Sequence, residues 1–243
     1  MEGFDDASYG DRIADVYDEW YEDLGDVDAL IALLESFAPS GRFLELGVGT
    51  GRLALPLAGR GVRITGVDSS ASMIARLRAK DSSGCIEVIE GDMVNDLPDA
   101  EFDVVFVAYN TLFSLRSAER QGELFAAAAR RLAPRGRFVV EAFVPDSRPA
   151  GGTVGVRTLT ADRVVLTADL HDPAAQTIDG QFIEFTESHG VRLRPFSLRY
   201  STPAELDAQA ERAGLRLVDR WQDARRRPFS SDSATHVSVY GRP

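Results

Sequence analysis

Three glycines at alternate positions, Gly47, Gly49 and Gly51, break the apolar run Phe43-Leu44-Glu45-Leu46 and lead into Arg52 and a second apolar stretch. A chain that turns this sharply at the end of a strand can bring its backbone against a ligand, because glycine adopts positive φ and has no Cβ in the way. A helix opening after the turn would add free N–H donors. Two further elements follow in order. Gly66-Val67-Asp68 ends the next apolar run in a carboxylate, and Gly91-Asp92-Met93 follows the one after it. Asp68, at the C-terminal end of its strand, is placed to accept from both hydroxyls of a ribose.

Two cofactors compete for this pattern. A dinucleotide site uses G-x-G-x-x-G/A with an acidic residue at a similar distance. Counting from Gly47, the sixth position is Arg52, so the small residue that allows close helix-to-strand packing is missing. Glu45, two residues before the first glycine, would repel a pyrophosphate but attract the ammonium of a methionyl group. The residues favour S-adenosylmethionine. A glycine-rich turn without a ligand would explain the glycines but neither Asp68 nor Asp92.

The 243 residues fit one large domain or a domain with an elaborated insert, and 44% hydrophobic content is ample for a core. No apolar run approaches a membrane span, and the N-terminus lacks the basic flank and apolar core of a signal peptide, so a cytoplasmic protein with no membrane partner is expected. The single cysteine, Cys85, excludes an internal disulfide and a Cys-rich zinc site, and is expected at a buried strand edge. His171 and His189 lack ligand spacing, so no metal is assigned. Of the net charge of −11, all resides in residues 1–35, where twelve Asp or Glu face the single Arg12. The rest is neutral, and no large basic face is implied, which argues against nucleic acid as substrate. Arg225-Arg226-Arg227 reads as a solvated loop. A monomer or homodimer is expected.

Helical spacing over Ile13–Trp20 and Val27–Phe37 predicts two helices before the first strand. Strands 42–46, 62–67, 85–89, 102–108 and 136–143 then alternate with helices 51–59, 70–79 and 117–132, Pro134 and Gly136 marking the last turn. This predicts an α/β fold with a parallel sheet covered on both faces. After Pro145 the period becomes two: Val154–Leu159, Val164–Leu170, Ile178–Thr186 and Val191–Tyr200 read as antiparallel strands, with turns at Asp172-Pro173 and His189-Gly190. A helix over 203–213, capped by Thr202 with Pro203 in its first turn, and strands Leu215–Trp221 and His236–Tyr240 complete the chain. The expected division is a helical cap over 1–40, a cofactor domain over 41–145 and 201–243, and an antiparallel insertion over 146–200 that covers the substrate.

With these elements in place, the chain resembles a class I S-adenosylmethionine-dependent methyltransferase over almost its full length. It is similar to the glycine N-methyltransferase and macrolide sugar N,N-dimethyltransferase group, on Tyr9 and Tyr17, Gly91-Asp92-Met93, and the insertion after the fifth strand. The resemblance implies a Rossmann-like seven-stranded sheet with its last strand antiparallel. It implies that Gly47, Gly49 and Gly51 pass beneath the methionyl and ribose groups, with Glu45 near the ammonium. Asp68 would hold the ribose, Ser69 and Met73 the adenine side, Asp92 the adenine amine and the Met93 N–H a ring nitrogen. Tyr17 and Arg52 would reach the methionyl carboxylate, and the Ala108 carbonyl and Asn110 would lie beside the sulfonium.

Methyl transfer is an in-line displacement in which the cofactor carries the activated group and leaves as S-adenosylhomocysteine. The protein aligns the acceptor and excludes water; amines need only be neutral, whereas hydroxyls differ in how much deprotonation they require. Substrate-facing candidates are Tyr9, Tyr109, Asn110, Phe113, Glu141 and His236, with no base assigned. Related sugar enzymes can carry a histidine where Ser114 stands, which weakens the amino-sugar assignment. The leading expectation is a small-molecule N- or O-methyltransferase of secondary metabolism. A peptide N-terminus or a carboxylate as acceptor, and a cofactor-binding protein without turnover, remain open.

Overall fold

A computed structural model of the chain describes residues 1, 3–22, 25–188 and 190–243. The expected turn residue His189 lies outside these described residues. Helices α1 (Ser8–Ile13), α2 (Tyr17–Trp20) and α3 (Val27–Phe37) precede β1 (Arg42–Leu46), α4 (Ala54–Gly59), β2 (Arg63–Asp68), α5 (Ala71–Lys80), β3 (Glu87–Glu90) and β4 (Phe102–Val107). Next come α6 (Ala118–Arg131), β5 (Leu132–Phe143), and the four strands β6 (Gly151–Leu159), β7 (Arg163–Asp172), β8 (Thr177–Thr186) and β9 (Gly190–Arg199). The chain ends with α7 (Pro203–Arg212), β10 (Arg216–Trp221) and β11 (Thr235–Gly241).

The apolar runs become a seven-stranded sheet in the order β10-β11-β5-β4-β1-β2-β3, with β11 antiparallel to both neighbours. The α/β sheet expected from the alternation is the observed one, and so is the Rossmann-like seven-stranded form, with its last strand antiparallel, that the resemblance implied. The chain reverses its direction of growth between β1 and β4, so the crevice at their carboxyl ends is the natural ligand site of such a sheet. The strands bury apolar side chains on both faces: Leu44, Val105 and Phe138 pack on one, Phe43, Val104 and Val139 on the other. Strands β6 to β9 form a separate four-stranded antiparallel sheet.

Several local expectations are corrected. The single helix expected over 13–20 is two short helices, interrupted at Ala14–Val16. Helix α4 begins at Ala54 rather than at Gly51, because Gly51 itself holds φ +83° and cannot be part of a right-handed turn. β5 starts at Leu132: Gly136 lets it run hard against β4, where an added Cβ would meet the Phe102 carbonyl oxygen at 2.9 Å. Cys85 is exposed and precedes β3, its backbone N–H and thiol held by the Asp81 carboxylate. Thr202 caps α7 as expected, with Glu205 completing the capping box. No helix among the described residues is long and apolar enough to cross a membrane.

Several of the acidic N-terminal residues pair with cations from the rest of the fold. Asp15 pairs with Arg192 and Arg194, Glu19 with Arg163, Asp18 with Lys80, and Asp26 with Arg225. Most of these cations come from the second sheet, so the cap and the insertion close on each other over the crevice. Asp18 also accepts from the Thr50 hydroxyl at 2.6 Å, tying the cap to the glycine turn.

Candidate functional site

A cavity of about 390 Å³ lies at the carboxyl ends of β1, β2 and β4, roofed by α1, α2 and the inner face of the second sheet. That size suits a small-molecule site. Gly47 and Gly49 line its floor, at φ +75° and +54°. At Gly47 the Thr111 methyl group occupies the place of a Cβ, which it would meet at 2.3 Å, so the turn tolerates no side chain. At Gly49 the same direction is open, with nothing within 4 Å, leaving a bare backbone cradle facing the cavity. The Gly47 and Val48 N–H groups both donate to the Val67 carbonyl, which fixes the turn against β2.

Asp68 lines the cavity at the end of β2. One carboxylate oxygen accepts from the Gly49 N–H at 2.7 Å and the other from the Ser70 N–H at 2.9 Å. Burial pushes its pKa up, opposed by these two donors. Each oxygen retains acceptor capacity for a ligand hydroxyl. Ser69, Met73, Asp92 and Met93 continue the same wall. The Asp92 carboxylate accepts from the Val94 and Asn95 N–H groups and pairs with Arg120 at 2.8 Å. The bare Gly49 cradle and the half-engaged Asp68 fit the ribose and methionyl parts of S-adenosylmethionine.

Glu45, Gly51 and Arg52 stand behind the turn rather than in the cavity lining. Glu45 is buried, its Oε2 has no hydrogen-bond partner, and burial raises its pKa well above the carboxylate range, against the opposing pull of Arg52. A cation arriving nearby would reverse that shift. The Arg52 guanidinium lies 5.0 Å over the Tyr109 ring.

After β4 the chain makes a strained turn. Tyr109 and Asn110 both adopt left-handed backbone, at φ +55° and +65°. Glu141 holds it: its carboxylate accepts from the Tyr109 N–H at 3.2 Å and its carbonyl from the Asn110 N–H at 3.1 Å. The Asn110 Oδ1 accepts from the Phe143 N–H at 2.7 Å. Tyr109 and Asn110 thereby line the cavity, while Glu141, expected to face substrate, is consumed by the turn and is absent from the lining. Phe113 is fully buried against Phe143, and Ala108 is buried in the core, because the 3₁₀ turn at Thr111–Ser114 directs Thr111 and Ser114 toward the cavity instead.

Four of the six tyrosines, Tyr9, Tyr17, Tyr21 and Tyr109, surround the remaining space. Tyr9 and Tyr21 share a hydrogen bond of 3.0 Å, and Tyr17 packs on Tyr21 with ring centroids 4.7 Å apart. Desolvation raises all of Tyr9, Tyr17 and Tyr109, Tyr17 to about 12. They are phenols at neutral pH and cannot serve as bases.

His236, expected beside the substrate, is sealed in the sheet opposite Ala142, with Nδ1 2.8 Å from the Ser238 hydroxyl. Burial lowers its pKa to about 3. The unfolded chain takes up a proton near pH 6.5 that the folded chain refuses until about pH 3, so this residue costs stability as pH falls through that window. His236→Asn is expected to lose roughly 2 kcal/mol less than wild type between pH 6.5 and pH 5, read by urea denaturation at both pH values.

The second sheet contributes residues that sequence reasoning missed. Phe182 and Phe196 line the cavity with centroids 4.9 Å apart, and the Phe196 ring occupies the place of a Cβ at Gly180, which it would meet at 2.2 Å. Ser197, Leu198 and Arg157 complete that wall. The alternation of β8 and β9 carried the signal for the aromatic pair; nothing in the sequence marks Arg157.

A methyltransferase-domain family model matches residues 43–136, the glycine turn through the start of β5. The cypemycin N-terminal methyltransferase of a Streptomyces species is 31% identical over 221 residues, covering 88% of this chain and 89% of that protein. The CcbJ methyltransferase of Streptomyces caelestis is 42% identical with a TM-score of 0.91, covering 98% of this chain and 99% of that one. CalS10, an amino pentose methyltransferase of Micromonospora echinaspora, is similar in fold, at 20% identity, a TM-score of 0.72, and coverage of 94% and 97%. A family match on the cofactor half and relatives spanning nearly the whole length agree with the geometry, and the chain belongs to the class I S-adenosylmethionine-dependent methyltransferases.

Proposed function

We propose that this enzyme methylates the nitrogen of a small-molecule amine in secondary metabolism. The observation that carries the reading is the composition of the cavity wall. Among the described residues it holds no His, Lys, Cys or Glu, and burial raises the Tyr9, Tyr17 and Tyr109 phenols above their ordinary value. Of its aspartates, Asp68 and Asp92 belong to the adenosine side and are already bonded, and Asp6 lies beside Ser69, which donates to its backbone carbonyl. A hydroxyl acceptor would find no group placed to take its proton. A neutral amine brings its own lone pair and requires only alignment.

In this reading Asp68 holds the ribose hydroxyls, the backbone at Gly47 and Gly49 runs beneath the methionyl chain, and Asp92 and Met93 meet the adenine. Tyr17 acts toward the carboxylate, with the Arg52 charge behind it over the Tyr109 ring, and Asn110 lies toward the sulfonium side, on the turn that the Ala108 carbonyl closes by accepting from the Thr111 N–H. The bound cofactor supplies a methyl group activated by cationic sulfur. The phenols of Tyr9 and Tyr109 orient the acceptor, and the cap and insertion exclude water. Relatives whose names refer to cypemycin and calicheamicin support the metabolic setting.

Incubation with adenosylmethionine and a panel of primary amines, secondary amines, phenols and carboxylic acids tests the reading by product mass. Mass gain on nitrogen alone is expected; methyl ethers or esters would overturn it. The full-length similarity to a peptide N-terminal methyltransferase favours a second reading, a peptide α-amine, which short peptides in the same panel would detect.

A further inference from the structure

Four arginines of the insertion face the N-terminal segment. Three are neutralised: Arg163 by Glu19 and Glu184, Arg192 by Asp15, and Arg194 by Asp15 and Glu184. The fourth, Arg157, has no carboxylate partner among the described residues, and it is the one that lines the cavity. Its placement is built rather than incidental. β6 and β7 lose register between Val156 and Thr158, so Arg157 is the extra residue of a bulge, a device that re-aims a side chain.

The re-aimed guanidinium sits 5.0–5.2 Å from the ring centroids of Trp20, Tyr21 and Phe182 and donates to the Trp20 carbonyl at 2.9 Å. Three rings and one hydrogen bond fix its plane. A guanidinium has five N–H donors, so most of the fork is left for another partner. Arg157 also lies near enough to Tyr109 to oppose the rise that burial gives that phenol. The cation therefore lies on the part of the cavity wall shared with Tyr21, Tyr109 and Phe182. A planar cation held in this way selects oxyanions over neutral groups.

We propose that Arg157 is the recognition group for an anionic oxygen substituent, a carboxylate or a phosphate ester, that the methyl acceptor carries beside its amine. The inference rests on the amine reading above and narrows it to a zwitterionic or acidic amine. It makes Arg157 a specificity determinant: it binds the acceptor and takes no part in the bond exchange.

Isothermal titration of the full chain, saturated with adenosylhomocysteine, tests it with matched probes: L-proline against pyrrolidine, and O-phosphoethanolamine against ethanolamine. At least one anionic member should bind ten or more times tighter than its neutral mate, and which pair responds identifies the anion. Arg157→Gln should erase that ratio, and Arg157→Lys, which keeps the charge without the fork, should retain part of it. Adenosylhomocysteine affinity of each variant reports whether the cavity is intact. A wild-type preference absent from both pairs, or one that persists unchanged in Arg157→Gln, overturns the proposal. Because binding is read rather than turnover, methylation on oxygen would sink the amine reading without deciding this one.

Discussion

Asp68→Ala is expected to weaken adenosylhomocysteine binding by about 100-fold or more, measured by titration calorimetry. The carboxylate has two tasks. It bonds the Gly49 and Ser70 N–H groups at 2.7 and 2.9 Å, holding the turn against the start of α5, and in the proposed reading it offers its remaining lone pairs to the ribose. Hydrogen bonds to a charged group contribute about 1.5–3 kcal/mol each, so losing two to the ligand corresponds to roughly 3 kcal/mol or more, about two orders of magnitude in affinity. Asp68→Asn keeps the shape but can accept through one atom only, and should fall between. Wild-type affinity in Asp68→Ala would contradict the ribose assignment.

Arg194→Met is expected to lower folding stability by about 3 kcal/mol, because it strips a buried charge of its partner. Arg194 is 3% exposed and donates to the Arg12 carbonyl, Asp15 and Glu184; Glu184 is itself 5% exposed. Without Arg194, Glu184 keeps only Arg163, the Arg12 carbonyl at the end of α1 loses its donor, and Asp15 keeps only Arg192 on β9. Urea denaturation reads the loss. The double variant Arg194→Met/Glu184→Gln should recover part of it, since the stranded carboxylate is then neutral. Cofactor affinity should also drop in the single variant, because α1 seats on α5 through Asp11, which accepts from the Ser70 hydroxyl at 2.6 Å. Additive effects in the double variant would mean that the pair is not coupled.

The wall proposed to hold the cofactor was legible as one cavity lining because its residues lie at strand ends in a fixed order. Gly47, Gly49, Asp68, Asp92 and Met93 line the cavity as their positions in the pattern implied. The acceptor side was less so. Glu141 and Asn110 are adjacent to the cavity in sequence terms, yet their polar atoms satisfy the backbone of a left-handed turn, and only the turn's geometry reveals which one faces in. His236 opens its strand, where a functional residue could sit, but the antiparallel course of β11 buries it beside β5. Phe182, Phe196 and Arg157 reach the site from a sheet whose docking is decided by contacts distant in the chain. A one-residue bulge determines where Arg157 points, and bulges leave no compositional mark.

The closure of the acidic cap on the arginines of the insertion has a consequence for how this enzyme can be recombined. The ion pairs join two segments distant in sequence, with Asp15 and Glu19 on one side and Arg163, Arg192 and Arg194 on the other. An insertion grafted from another member onto this cap would set foreign side chains against Asp15 and Glu19. An exchange that moves both segments together keeps these ion pairs matched.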